Sequence, residues 1–282
     1  MINNSRFLNS TKGSYDITFL KKLGTNDNYN YELVRMNYVK NSGIEDNNSV
    51  LLKSKKGSVN DVKLFENISR AKRNIKELAF CNNWQWFFTG TLDKNKYDRE
   101  NLEKFHKDFT EFLRYFAKNN HLNNKIDFLV IPELHSDGKS WHLHGFLNNL
   151  PVEYLIKFEI GMQMSKHILQ KVNNGDLVYK WKSYEDKFGF NDIEPIRNHE
   201  AVCNYITKYI SKELGSCVTE LGAHLYYHSR GLKKAELIKK GRMDWNFTST
   251  IQPKIYHNDY CSIVKLTKEE LNKLDIINKF IN

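Results

Sequence analysis

Two apolar runs, KIDFLVIPELH (125–135) and SWHLHGFLN (140–148), flank an Asp137-Gly138 pair. Asp-Gly is a preferred centre of the two-residue type I′ turn, whose central positions both need a positive φ. The stretch therefore predicts an antiparallel hairpin, and a hairpin with a known turn has a known register. Ser136 faces Lys139, His135 faces Ser140, Glu133 faces His142 and Ile131 faces His144. Directly opposed residues share a face, with Cβ atoms ~4.5–5.5 Å apart, and positions i and i+2 share it too. The register gathers Glu133, His142 and His144, while Trp141 and Leu143 point the other way. One carboxylate and two imidazoles suit a divalent cation, Mn²⁺ or Mg²⁺, with imidazole favouring Mn²⁺. The same three residues also fit a solvated strand face. His135 shares that face, either as a substitute ligand or as a solvated turn residue.

The rest of the chain predicts an α+β fold, with helices packed on a central antiparallel sheet. NDVKLFENISRAKRNIKELAFCN (60–82) and DRENLEKFHKDFTEFLRYFAKNN (98–120) are amphipathic at helical period. The second carries Leu102, Phe105, Phe109, Phe112, Leu113 and Phe116 on its apolar side. WQWFFTGTLD (84–93), rich in aromatic and β-branched residues, reads as a buried strand. YDITFL, YELVRMNYV, KFGFNDIEPI and AHLYYHS read as further strands. VEYLIKFEIGMQMSKHILQKV (152–172) and LTKEELNKLDIINKFI (266–281) read as helices. Three regions result: an arm or added strands over 1–60, a central domain over 61–235, and an extension over 236–282.

A second cluster lies in NHEAVCNYITKYISKELG (198–215), a helix with Asn198 as N-cap and Gly215 as its stop. Tyr205 and Tyr209 are i and i+4, on the margin of a Val202, Ile206, Ile210 stripe, with Lys208 and Lys212 just beyond. A phenol titrates near ~10 and needs a neighbouring cation or metal to attack as phenolate. Two phenols beside two ammonium groups suit attack on phosphate. An amphipathic helix that buries its tyrosines is the plain alternative. Tyr205 falls nearer both lysines and is the preferred first nucleophile.

Lys plus Arg number 43 and Asp plus Glu 33, a net charge of +10, with 13% aromatic residues. Cations that meet phosphates and rings that stack on bases fit a nucleic-acid partner. No run approaches the ~20 apolar residues of a membrane span, and MINNSRFLNS has no apolar signal core. Four scattered cysteines without a C-x-x-C pair fit a reducing cytoplasm.

Taken together, HLHGF followed by YITKYISK resembles the HUH endonucleases, in particular the rolling-circle replication initiators (Rep proteins) with two tyrosines found in small phages and plasmids. FFTGTLD is similar to the first motif of that family and IPELHSDGKSWHLHGF to its metal-binding hairpin, in the same order. Gly90 stands where many relatives carry a larger residue. The resemblance covers roughly residues 65 to 231. It implies a ferredoxin- or RRM-like core and a metal held by His142, His144 and Glu133. It also implies tyrosine attack that leaves a 5′-phosphotyrosine and a 3′-hydroxyl primer, with Lys208 and Lys212 stabilising the phosphate. Single-stranded origin DNA would lie against Trp84, Trp86, Lys94 and Lys96, with Arg230 as a phosphate contact. No G-x-x-x-x-G-K-[ST] occurs, so a host helicase and DNA polymerase are implied partners. A transposase or a relaxase-like strand transferase is the alternative within the superfamily, although relaxases place the tyrosine ahead of the histidines. A non-catalytic basic nucleic-acid-binding protein is the alternative outside it.

Overall fold

The computed structural model describes residues 17–25, 28–36, 61–135, 137, 139–206, 225–243, 255–257 and 261–281. The fold is α+β and divides into two units, one of residues 1–55 with 234–282 and one of residues 56–233.

The first unit is built on a six-stranded antiparallel sheet from both ends of the chain. Its strands are β1 (Thr18–Gly24), β2 (Tyr29–Met36), β10 (Glu236–Met243), β11 (Ile255–His257), β12 (Cys261–Leu266) and β13 (Phe280–Ile281), in the order β11-β12-β2-β1-β10-β13. Leu20, Leu33, Val264 and Leu266 meet Leu271, Ile276 and Phe280 in its core. The expected terminal helix is only Lys268–Lys273 (α6), opened by a Thr267–Glu270 capping box. Asp275 then adopts φ 49°, a left-handed conformation that a helix cannot continue through. A 3₁₀ turn and β13 follow it.

The second unit holds a seven-stranded antiparallel sheet. Its strands are β3 (Trp86–Thr91), β4 (Asp127–Leu134), β5 (Trp141–Asn148), β6 (Leu155–Lys157), β7 (Tyr179–Trp181), β8 (Asn191–Pro195) and β9 (Tyr227–His228), in the order β6-β7-β8-β3-β5-β4-β9. Its helices among the described residues are α1 (Asp61–Phe80), α2 (Leu102–Asn119), α3 (Lys166–Asn173), α4 (Lys182–Lys187) and α5 (His199–Ile206). Alternate residues of each central strand enter opposite layers, as period-two geometry requires. Trp86, Phe88, Val130, Leu143 and Leu147 pack under α2, whose Phe105, Phe109, Leu113 and Phe116 recur at helical spacing. Phe87, Leu129, Ile131 and Phe146 pack on the other face with Ile75, Leu78 and Ala79 of α1 and Cys203 and Ile206 of α5. Asn101 caps α2 by accepting from the Lys104 N–H, an arrangement worth about 1 kcal/mol.

Residues 152–172 do not form one helix. Leu155–Lys157 is drawn into the sheet edge against Tyr179–Trp181. Gly161 takes φ 97°, and α3 begins only after Ser165, whose hydroxyl accepts from the Ile168 N–H. Leu143 points away from the histidines as expected. Trp141 does not: as the first residue of β5 it packs with the α1 layer.

Candidate active site

β4 and β5 pair with Glu133 opposite His142, Ile131 opposite His144 and Leu134 opposite Trp141, which is the register expected from the sequence. The loop is closed by the His135 N–H donating to the Ser140 carbonyl at 2.7 Å. The Asp137 carboxylate accepts from the Lys139 and Ser140 N–H groups, both at 2.9 Å, and from the Ser140 hydroxyl. These bonds hold its pKa far below the usual carboxylate value. Ser136 and Gly138, and with them the expected turn type, lie outside the described residues. Pro132 falls where β4 has outrun the two residues of β9, which pair only with Leu129 and Val130. Its missing N–H costs least there.

Of the three side chains, Glu133 and His144 are in contact, and His142 lies beside them on the same face. His144 Nε2 lies 2.8 Å from a Glu133 carboxylate oxygen, the imidazole nearly enclosed and the carboxylate half-exposed. Burial pushes His144 down to about 4, despite that oxygen. Burial, followed by the neighbouring His135 and His144, also lowers His142, against the pull of Glu133. Both rings are therefore neutral at pH 7 and offer a lone pair. Thr91 Oγ1 lies 3.1 Å from His142 Nδ1 and fixes that ring's orientation. His135, largely exposed, lies over His142 with ring centres 4.7 Å apart.

The donor set, one carboxylate and two neutral imidazoles, is chemically suited to a divalent cation. As the side chains stand, Glu133 and His144 engage each other. Among the described residues no three His, Cys, Asp or Glu side chains are already gathered as a metal cage.

Tyr205 is described and lies on the same side of the sheet. It is 44% exposed, and its ring meets Phe87 edge-on at 5.9 Å. Phe87 is two residues before Thr89, which pairs with His144. Phe87, the ring that Tyr205 meets, thus lies one side-chain row, ~7 Å, from the row that holds His144. The buried side of α5 is formed by Cys203 and Ile206, with His199 Nε2 held 2.9 Å from the Asn82 carbonyl. Tyr209, Lys208 and Lys212 lie outside the described residues.

The expected DNA contacts fare differently. Trp84 is a core residue: it is 6% exposed, donates from Nε1 to the Ala79 carbonyl at 3.0 Å and stacks on Phe146 at 5.4 Å. It offers no ring to a base, and Trp86 is likewise buried. Lys94 is exposed. Lys96 is exposed too, but its ammonium donates to the Glu185 carbonyl of α4, on the α2 side of the sheet. Arg230 is exposed, and its carbonyl accepts from Lys125 beyond the far end of β4. That end lies ~20 Å from Glu133, six residues at ~3.3 Å each.

Three residues near the site carry no sequence signal. Thr91 braces His142. Arg99 reaches the hairpin loop, its guanidinium 3.0 Å from the Asp137 carboxylate and 2.9 Å from the Ser140 hydroxyl. Asp192 pairs with Thr89 across β8 and β3 and so shares the face of His144. Gly90, by contrast, is explained by the other face: an added Cβ would meet the Phe88 ring and the Tyr184 hydroxyl at 2.6 Å.

Residues 85–214, a little under half of the chain, match a family model for replication-associated proteins of the ORF2 and gene 2 protein type. The matched stretch runs from β3 through α5 and contains every residue of the hairpin cluster. No curated protein and no solved structure matches the chain. No helix among the described residues is long and apolar enough to cross a membrane.

Proposed function

We propose that the chain initiates rolling-circle replication by nicking single-stranded origin DNA and becoming joined to its 5′ end through a tyrosine. The observation that carries this reading is the placement of Glu133, His142, His144 and Tyr205 on one face, within the stretch similar to replication-associated proteins. Glu133, His142 and His144 would hold Mn²⁺ or Mg²⁺, which when bound supplies Lewis-acid polarisation of the scissile phosphate. The chain's own residues do the rest. The hairpin register holds the two imidazoles on one strand and the carboxylate on the next, and burial keeps both imidazoles neutral. Thr91 braces His142. Tyr205, half-exposed over Phe87, presents a phenol to a strand lying along this face. Attack on phosphorus forms the tyrosine–phosphate bond and breaks the bond to the 3′ oxygen, leaving a primer end. Because the phosphodiester energy is kept in the covalent link, rejoining needs no nucleotide triphosphate. Tyr209 would serve as a second nucleophile, and Lys208 and Lys212 would face the phosphate charge. Unwinding and synthesis would fall to a host helicase and polymerase.

The test uses labelled single-stranded fragments tiling the DNA that flanks the chain's own coding sequence, incubated with the full chain and Mn²⁺. A covalent adduct is expected that excess EDTA prevents and that the His142→Ala, His144→Ala double variant does not form. Peptide mapping should place the DNA on Tyr205 or Tyr209. An adduct on neither, or cleavage that survives both EDTA and the double variant, would overturn the reading.

A further inference from the structure

Tyrosine attack requires a group that takes the phenol proton, and with Glu133, His142 and His144 given to the metal a separate group is needed. Four carboxylates of the described sheet strands alternate onto this face: Asp127, Glu133, Glu194 and Asp192, of which Asp127 sits at the far end of β4, 3.0 Å from the Lys125 ammonium. Glu133 is held by His144 at 2.8 Å, and Glu194 by the Lys171 ammonium of α3 at 2.6 Å. Asp192 makes no ion pair among the described residues. Its hydrogen-bonding partner is the Thr89 side chain, one strand away.

We propose that Asp192 is the base that accepts the Tyr205 proton during cleavage and returns it during joining. The inference rests on the function proposed above and adds a residue to it. Its warrant is the order of strands. β3 runs between β5, which bears the histidines, and β8, which bears the acids. Phe87 of β3 carries the Tyr205 ring on its edge and pairs with Glu194; Thr89 pairs with both His144 and Asp192. Adjacent strands are ~4.8 Å apart. Tyr205 therefore lies over Phe87 of the strand between them, and the next row along that strand, at Thr89, has His144 on one flank and Asp192 on the other. Asp192 and His144 are two strands apart, so Asp192 is separate from the ligand cluster.

The surroundings of Asp192 suit the task. Burial, followed by the charge of Glu194, raises its carboxyl to about 6, while the bond from Thr89 and the charge of Lys171 act in the opposite sense. The charged and titratable groups that act on it are Glu194 on its own strand and Lys171 from α3, and His144 lies beyond Thr89 on the far side of β3. A base that titrates near the working pH combines availability with driving force. In cleavage the Tyr205 oxygen bonds to phosphorus as its proton passes to the Asp192 carboxylate and the bond from phosphorus to the 3′ oxygen breaks. The 3′ oxygen takes a proton from water, and the resulting hydroxide removes the proton from Asp192. Joining runs the same transfers in reverse, so no oxidant, reductant or further reactant is needed.

The test is single-turnover adduct formation by the full chain between pH 5 and 9, with wild type, Asp192→Asn and Asp192→Glu. Wild type should lose rate as pH falls through about 6, because the base becomes protonated. Asp192→Asn should form adduct about 100-fold more slowly and lose that acid limb, with DNA affinity by anisotropy and Mn²⁺ affinity by titration within about twofold of wild type. Asp192→Glu should recover part of the rate and the limb, which a purely structural carboxylate would not do. Wild-type rate and limb in Asp192→Asn would overturn the inference. So would an Asp192→Asn that fails to fold alongside a folded Asp192→Glu without the limb. Failure of wild type to form any adduct would instead remove the underlying function.

Discussion

Gly145, inside HLHGF, separates His144 from Phe146, and its hydrogen is the only substituent the sheet admits there. A Cβ built at Gly145 would fall on the Leu129 carbonyl oxygen and lie 2.8 Å from Val130 Cα, both backbone atoms of β4. β4 cannot retreat easily, since Leu129 and Val130 are also paired to β9 and are buried. Relief to an ordinary contact would part β4 from β5 by about 1 Å in the middle of an eight-residue ladder. Overpacking costs ~1–3 kcal/mol, and one or two weakened ladder bonds add about 1 kcal/mol each. Gly145→Ala should therefore destabilise the 56–233 unit by about 2–5 kcal/mol. Gly90→Ala is the internal control. Its obstacles, the Phe88 ring tip and the Tyr184 hydroxyl, are far ends of side chains that can give, so its cost should be about 1–2 kcal/mol. Urea denaturation followed by tryptophan fluorescence measures both, because Trp84, Trp86, Trp141 and Trp181 all lie in that unit. A Gly145→Ala cost equal to or below that of Gly90→Ala would refute the close approach of β4.

Two further outcomes follow from burial. Trp84→Ala should cost about 3–5 kcal/mol, as for other buried large rings, yet leave the single-stranded DNA affinity of the folded protein unchanged; weakened binding at unchanged stability would put the ring back on the DNA. His144, held below the ordinary histidine value by burial, is protonated more readily in the unfolded chain. Its contribution to stability is thus complete above pH ~6.5 and is lost as pH falls towards about 4, by up to about 3 kcal/mol at ~1.4 kcal/mol per pH unit. Metal-free denaturation of wild type against His144→Gln across that range checks it, and parallel pH profiles would contradict the burial argument.

What the sequence made legible was local. The hairpin register could be read because the Glu133–His142 and Ile131–His144 pairs are separated by only 9 and 13 residues and share one turn. The amphipathic α1 and α2 could be read because a helical stripe is written in consecutive turns, and Asn198 marked the start of α5 by accepting from the Ala201 N–H. The elements misread or left unread needed partners from elsewhere in the chain. Leu155–Lys157 has the composition of a helix start, and only its pairing with Tyr179–Trp181 makes it a strand. β10 reads as ELIKKGRM, without strict alternation, and owes its conformation to β1, more than 200 residues earlier, with a register shift between Leu20 and Lys21 to accommodate it.

The same limit explains the candidate site. Glu133 was found through the turn, but Thr91 and Asp192 were not, since each enters through β3. The partners of β3 lie about 50 residues away on β5 and about 100 away on β8. Period-two alternation shows that Thr89 and Thr91 share a face with each other; it does not show which face, nor which strand lies alongside. Trp84 failed for a related reason. An aromatic residue beside lysines is equally consistent with a base-stacking ring and with a core ring at a strand's entrance. Its indole N–H decides between them: in the core that donor needs a buried acceptor, and the Ala79 carbonyl at the end of α1 provides it. The packing of α1 thus draws Trp84 into the core, and β8 places Asp192 on the face that bears His144.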